Sequence, residues 1–141
     1  MNVDTFLDTN VFVYLFDESA PAKRSRATEL VRTALSEGSA CVSFQVVQET
    51  LNVITQKLEV PVSLEDARDL LRETLAPLWR VLPTEALYAK ALDVKDRYGY
   101  SFYDALILAA ALDAGCTRLL SEDLQDGQRI DGLRIENPFW D

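Results

Sequence analysis

The chain has 141 residues, of which 48% are hydrophobic and 26% are charged, which excludes a disordered chain. At this length we expect a single domain, residues 1–141, that buries a core without disulfides or a structural metal. The net charge of −9 disfavours broad, nonspecific binding to a polyanion, although bound divalent cations would reduce it.

The sequence contains no histidine. This excludes Ser-His-Asp and Cys-His catalysis and every zinc site that needs an imidazole ligand. Acid–base or metal chemistry must therefore depend on carboxylates, which select hard cations such as Mg²⁺ or Mn²⁺.

Cysteine usage and hydropathy predict a cytoplasmic protein. Cys41 and Cys116 are the two cysteines, and each lies beside apolar residues, which is typical of buried, reduced thiols. The longest apolar stretch, residues 105–112, is too short to span a bilayer. The first residues lack the pattern of a secretory leader, so we expect neither secretion nor a membrane segment.

Hydrophobic periodicity predicts strands and helices that alternate along the chain. The predicted strands are residues 3–7, 40–43, 79–82, 118–121 and 133–135. The predicted helices are residues 11–16, 22–36, 44–58, 63–75, 84–98 and 101–114, and residues 122–132 form a polar loop. This alternation predicts an α/β fold with three layers, α/β/α, around a central, mostly parallel sheet of about five strands.

Asp8 follows the first predicted strand directly. In open α/β sheets ligands bind outside the carboxyl ends of the strands, so a carboxylate at this point faces the crevice where chemistry usually occurs. Alternatively, Asp8 or Thr9 only caps the helix that follows. The position alone leaves both interpretations open.

Two more acids lie on predicted helices. Glu49 borders the buried stripe of helix 44–58, where it is either an exposed side chain or a charge that needs a partner. Asp104 occupies the last position of a capping box that begins at Ser101. The helix that follows is apolar on every side, so its first turn should lie beside the sheet edge. A cap and a site role are compatible for Asp104.

A fourth candidate acid follows the predicted strand 118–121. Asp123 lies just beyond that strand, but Glu122 is adjacent and Asp126 is close, so spacing alone does not choose among them. The segment is otherwise a solvated acidic loop.

Four segments resemble PIN-domain ribonucleases, and most closely the VapC-type toxins of prokaryotic toxin–antitoxin modules. They are FLDTNVFVY, QVVQETLNV, SFYDALILAAAL and LLSEDLQDGQRIDGLRIENPF, in the family's order. The resemblance implies an acidic quartet that holds one or two Mg²⁺ or Mn²⁺ ions, supporting polar residues, a homodimer and a cognate antitoxin. The implied quartet is Asp8, Glu49, Asp104 and Asp123, and the implied supporting residues are Asn10 and Ser121.

We therefore expect a metal-dependent endoribonuclease, the toxin of a type II module, in which a metal-activated water hydrolyses RNA phosphodiesters. Lys23, Arg24 and Arg26 form the densest basic cluster and either contact RNA phosphates or cover a solvated helix face. Two alternatives remain at this level, a noncatalytic module that binds a basic partner through its acidic rim and a structure-specific DNA nuclease.

Overall fold

A computed structural model describes residues 3–139. Residues 1, 2, 140 and 141, which the predicted domain includes, lie outside this range. The strands are β1 (Thr5–Leu7), β2 (Ala40–Ser43), β3 (Trp79–Val81), β4 (Arg118–Leu120), β5 (Arg129–Ile130) and β6 (Leu133–Glu136). The helices are α1 (Thr9–Val13), α2 (Pro21–Glu37), α3 (Phe44–Gln56), α4 (Leu64–Leu70), α5 (Ala76–Leu78), α6 (Glu85–Tyr98) and α7 (Phe102–Asp113), with a 3₁₀ turn at Tyr14–Phe16 and a π-helical turn at Leu71–Leu75.

The described residues form one sheet of six strands in the order β3-β2-β1-β4-β6-β5. All neighbouring strands are parallel except β5 and β6. The predicted α/β fold with a mostly parallel sheet is therefore confirmed, with six strands where about five were predicted.

The additional strand is β5, which lies inside the predicted loop 122–132. It has only two residues and pairs with β6 across the turn Asp131-Gly132. Two residues are too few to show an alternating pattern, so periodicity could not find the strand. The Asp-Gly pair was nevertheless a hairpin signal, and Asp131 adopts a left-handed φ of 47° in the turn.

The strand order places helices on both faces of the sheet. From β1 the chain moves through β2 to β3 in one direction, and it then crosses back to β4 on the other side of β1. Right-handed crossovers in opposite directions cover opposite faces. Helices α1 to α5 therefore cover one face, while α6 and α7 cover the other.

The core confirms the predicted central helix. Residues 105–111 of α7 are all buried, and α7 packs on α6, β2 and β4. Cys41 and Cys116 are buried free thiols, as predicted, with their Sγ atoms 3.7 Å apart. No helix among residues 3–139 has both the length and the apolar character needed to cross a membrane.

One predicted helix end is wrong. We expected helix 63–75 to stop before Pro77, but the helical run continues through the π-helical turn and α5 to Leu78. Pro77 closely follows the π-helical turn, where the Ala76 amide donates to the Leu71 carbonyl five residues back, so the regular α-helical hydrogen-bond ladder is already interrupted before the proline. The proline is therefore tolerated at this position.

Candidate active site

The carboxyl ends of β1 and β4 bring Asp8 and Ser121 together. Leu7 pairs with Leu120 in the parallel ladder, so the next residue of each strand leaves the sheet at the same edge. Ser121 Oγ donates a hydrogen bond to Asp8 Oδ2 at 2.8 Å, and the Thr9 amide donates to Asp8 Oδ1 at 2.7 Å. The chain leaves β1 and β4 in opposite directions across the sheet, which is where ligand crevices form in open α/β sheets.

Helices α3 and α7 supply the next two acids. Thr9 Oγ1 donates to Glu49 Oε1 at 3.2 Å, which joins the second turn of α3 to the end of β1. Gln45 Nε2 donates to the Tyr103 carbonyl at 3.1 Å and ties the start of α3 to the first turn of α7, where Asp104 lies. The two helix starts are thereby held beside Asp8.

Asp123 is the acid of the last loop that reaches this place. Asn10 Nδ2 donates to Asp123 Oδ2 at 3.0 Å, and the Asp123 amide donates to Ser121 Oγ at 3.2 Å. Glu122 instead accepts hydrogen bonds from Tyr14 and Lys23. Asp126 accepts one from the Asn137 amide at 2.8 Å.

The four predicted acids line one cleft of ≈ 280 Å³. Asn10 lines it too, whereas Ser121 is buried behind it against Asp8. The full lining is Asp8, Thr9, Asn10, Gln45, Glu49, Asn52, Val53, Lys57, Tyr103, Asp104, Ile107 and Asp123. A larger groove of ≈ 850 Å³ shares Lys57 with the cleft and is also lined by four acids, Asp17, Glu18, Glu59 and Asp66, but none of these four follows a strand of the sheet.

The cleft holds four acids and, among the described residues, one lysine, Lys57. The pKa of Asp8 rises from its ordinary 3.8 to about 6. Burial is the main cause, the charges of Glu49 and Asp123 add to it, and the hydrogen bonds from Thr9 and Ser121 oppose it. Burial also raises the pKa of Glu49, with additional repulsion from Asp104 and Asp123. Perturbed carboxylates in a cleft are typical of functional sites.

Asp8 and Asp104 also fulfil their structural roles, in part. Asp8 is the N-cap of α1, although its bond goes to the first amide of the helix. Ser101 Oγ accepts from the Asp104 amide at 3.4 Å. The return bond of a capping box, from the Ser101 amide to Asp104, is not among the hydrogen bonds of residues 3–139. The Asp104 carboxylate is therefore left to the cleft.

The cleft residues fit a hydrated hard cation. The atoms they offer as metal ligands are oxygens, and oxygen ligands suit Mg²⁺ or Mn²⁺. One of these oxygens, the buried Oε1 of Gln45, has no hydrogen-bond partner among residues 3–139. Within the same residues no three acidic or cysteine side chains converge closely enough to hold an ion. Mg²⁺ commonly binds through one or two carboxylates and keeps several waters, so at most two of these acids would contact it directly.

The predicted basic cluster lies outside the cleft. Lys23 Nζ is 2.6 Å from Glu122 Oε2, Arg24 lines the larger groove, and Arg26 Nε donates to the Pro138 carbonyl at 3.3 Å. Among the described residues, the basic side chain that lines the cleft is Lys57. An RNA-binding role for the cluster stays a prediction.

Sequence reasoning missed several cleft residues. Gln45 and Asn52 were missed, although they lie four residues before and three residues after the predicted Glu49 and so share its face of α3. This polar stripe was visible in the sequence. The contributions of Lys57 and Tyr103 were not, because they depend on how α3 packs against α7.

The chain is similar to known proteins in sequence family and in fold. No curated protein matches it. A toxin–antitoxin complex from Klebsiella pneumoniae contains a similar fold, with a TM-score of 0.67 and 17% identity over 96% of this chain and 98% of that one. The VapBC complex of Salmonella typhimurium, solved with bound DNA, gives a TM-score of 0.63 and 21% identity over 96% and 98%.

A third structure, VapC20 from Mycobacterium tuberculosis, is described as a toxin that cleaves the sarcin-ricin loop. It gives a TM-score of 0.61 and 22% identity over 85% of this chain and 92% of that one. These likenesses concern the fold. The sequence-family model of the PIN domain matches residues 5–132, which confirms the predicted resemblance. The chain therefore belongs to the PIN domain family.

Proposed function

We propose that this protein is a metal-dependent endoribonuclease and the toxin of a type II toxin–antitoxin module. The observation that carries the proposal is the meeting of four carboxylates, distant in sequence, at one cleft where strands β1 and β4 end. We assign Asp8, Glu49, Asp104 and Asp123 as the catalytic and metal-binding residues: Asp8 and Asp104 would contact the ion directly, and Glu49 and Asp123 would complete its shell or orient water. Asn10 and Ser121 support them by holding Asp123 and Asp8.

The structural neighbours support the toxin assignment. VapC20 is described as a toxin that cleaves the sarcin-ricin loop, and two neighbours with TM-scores of 0.67 and 0.63 are toxin–antitoxin assemblies. By analogy we propose an RNA substrate, a cognate antitoxin, a homodimer and a cytoplasmic location. The absence of histidine leaves carboxylates as the groups available for such chemistry.

The residues of the cleft have separable tasks in this mechanism. Ser121 and the Thr9 amide fix both oxygens of Asp8, so Asp8 presents a rigid charge. Thr9 orients Glu49 in the same way, while Asp104 keeps its oxygens free of capping bonds. A bound divalent ion would activate a water and stabilise the charge that develops on the phosphate.

The decisive experiment compares Asp104→Asn with Asp113→Asn, an exposed acid at the other end of the same helix. With single-stranded RNA and Mg²⁺, we expect Asp104→Asn to lose at least about a hundredfold in cleavage rate, whereas Asp113→Asn keeps the wild-type rate. Circular dichroism should show both variants folded. Cleavage by the wild type at an undiminished rate in EDTA would contradict the proposal.

A noncatalytic acidic module remains the second candidate, because the net charge of −9 is unusual for a protein that binds nucleic acid. In that case Mg²⁺ would not induce cleavage of either RNA or DNA. Parallel RNA and DNA substrates also test the third possibility, a DNA nuclease. We expect the RNA to be cut faster.

A further inference from the structure

An exposed aromatic ring stands at the rim of the acidic cleft. Tyr103 is 67% exposed, lines the cleft and immediately precedes Asp104. Among the described residues it is the most exposed aromatic side chain, ahead of Tyr88 at 39% and Trp79 at 37%, and its position beside the proposed active site makes its ring available to a ligand.

Tyr103 contacts the neighbouring Phe102 ring and helix α3. The rings of Phe102 and Tyr103 meet edge to face, with centroids 5.5 Å apart and planes at 71°. The Phe102 ring also stacks on Tyr88, with centroids 6.4 Å apart. The Tyr103 carbonyl accepts the hydrogen bond from Gln45 on α3. These contacts fix the backbone of Tyr103 and support one side of its ring, which lowers the entropy lost when a second ring stacks on it.

The charges of the cleft favour such a contact. The lining contains four carboxylates and, among the described residues, a single lysine, Lys57. Proteins usually bind nucleic acid through phosphate contacts from Lys and Arg, and this cleft offers little of that kind. Base stacking on an aromatic side chain needs no cationic surface, so it would add affinity for an RNA strand where the cleft offers few phosphate contacts.

We propose that Tyr103 forms a nucleobase subsite, on which an unpaired base of single-stranded RNA stacks beside the phosphate that is cut. This inference rests on the proposed ribonuclease function. The interaction is sequence-tolerant in kind, because every base has a π-face, and it favours unpaired over duplex segments.

The test measures single-turnover cleavage, in Mg²⁺, of a single-stranded RNA oligonucleotide that contains a cut site mapped with a random-sequence RNA pool. We expect Tyr103→Leu to raise the protein concentration for half-maximal rate about tenfold, the effect of losing one stacked base, while Tyr103→Phe stays near wild type. Trp79→Leu, which removes an exposed ring outside the cleft, should have no effect. Thermal unfolding verifies that each variant is folded.

Abasic oligonucleotides separate direct stacking from a structural role. An abasic site scanned along the strand should reproduce the tenfold loss at one position, and Tyr103→Leu should add nothing further with that oligonucleotide. Additive losses at every position overturn the subsite. If the wild type cuts RNA and Tyr103→Leu cuts it with unchanged concentration dependence, only this inference fails. If the wild type cuts no RNA, the proposed function fails and the subsite fails with it.

Discussion

Glu122 and Asp123 are neighbours in sequence, yet they belong to opposite electrostatic environments. Although partial burial raises the pKa of Glu122, the hydrogen bonds from Lys23 and Tyr14 lower it below its ordinary value. Asp123 turns the other way and adds its charge to those of Asp8 and Glu49, whose pKa values are raised. The same loop thus carries one carboxylate whose charge is balanced by Lys23 and one carboxylate that increases repulsion.

This difference distinguishes a carboxylate that stabilises the fold from carboxylates that the fold alone does not require. Where a carboxylate serves the structure, the chain supplies a cation and hydrogen-bond donors, as it does for Glu122. In the cleft it gathers acids around Asp8, which is only 8% exposed, and leaves their repulsion uncompensated. Such unfavourable arrangements persist mainly at functional sites, and the divalent cation proposed above would compensate these charges.

Supplying that cation should have the largest effect on stability. We expect saturating Mg²⁺ to raise the free energy of unfolding by about 2.7 kcal/mol at a concentration a hundredfold above its dissociation constant. Because protons compete at Asp8, the gain should shrink as the pH falls below about 6. Denaturant unfolding with Mg²⁺ and with EDTA measures it.

The control for this prediction is again the pair of variants on α7. Asp113→Asn should keep the full Mg²⁺ effect, and Asp104→Asn should lose most of it. An equal response in both variants would mean that the ion binds elsewhere.

Removing one charge should relieve part of the same repulsion without metal. The rise of the Asp8 pKa from 3.8 to about 6 corresponds to about 3 kcal/mol. A carboxyl whose pKa is higher in the folded state destabilises the fold when ionised, so stability falls as the pH rises from about 4 to about 6 and then stays low. We expect Asp8→Asn in EDTA to gain about 2 kcal/mol at neutral pH, because the amide replaces the two hydrogen bonds imperfectly.

The pH dependence distinguishes this effect from a general change in stability. The gain from Asp8→Asn should disappear below about pH 4, where Asp8 is protonated in both states. Asp93→Asn, at an exposed position of α6, should change stability by less than about 0.5 kcal/mol. A loss of stability in Asp8→Asn at neutral pH would show that its capping role outweighs repulsion.

Sequence reasoning predicted the cleft better than its surroundings. Asp8 could be placed because acids that follow parallel strands meet at one sheet edge, and the strands were visible as apolar runs. For the last loop the same argument left Glu122, Asp123 and Asp126 open, and only the resemblance to PIN-domain ribonucleases selected Asp123. The partner of Lys23 could not be predicted, because its contact with Glu122 spans 99 positions and depends on how α2 packs beside the last loop. The short strand β5 escaped detection for a similar reason, since pairing with β6 defines it more than its own two residues do.

The stabilising interactions of Glu122 can be weakened by a substitution at Tyr14. Tyr14→Phe removes the hydroxyl that donates to Glu122 and keeps the ring that packs against Phe139 at 4.8 Å. We expect a loss of about 1 kcal/mol at neutral pH. Because the Glu122 pKa is lowered in the folded state, this contribution is present above its unfolded pKa and is lost as the pH falls through the folded value. An unchanged pH profile of unfolding in Tyr14→Phe would contradict the assignment.

The smallest expected effect concerns Lys57, the cation that lines the cleft, against the basic cluster on α2. Lys23 is already committed to Glu122, whereas Lys57 is exposed and borders both the cleft and the larger groove. We therefore expect Lys57→Gln to weaken binding of single-stranded RNA about threefold and to lower the salt slope by about 0.7, the effect of one phosphate contact. Arg26→Gln, whose side chain is engaged with the Pro138 carbonyl, should change the slope less. A larger change for Arg26→Gln or Arg24→Gln would place the phosphate path over the predicted cluster instead, and RNA would then approach the acids from the α2 side.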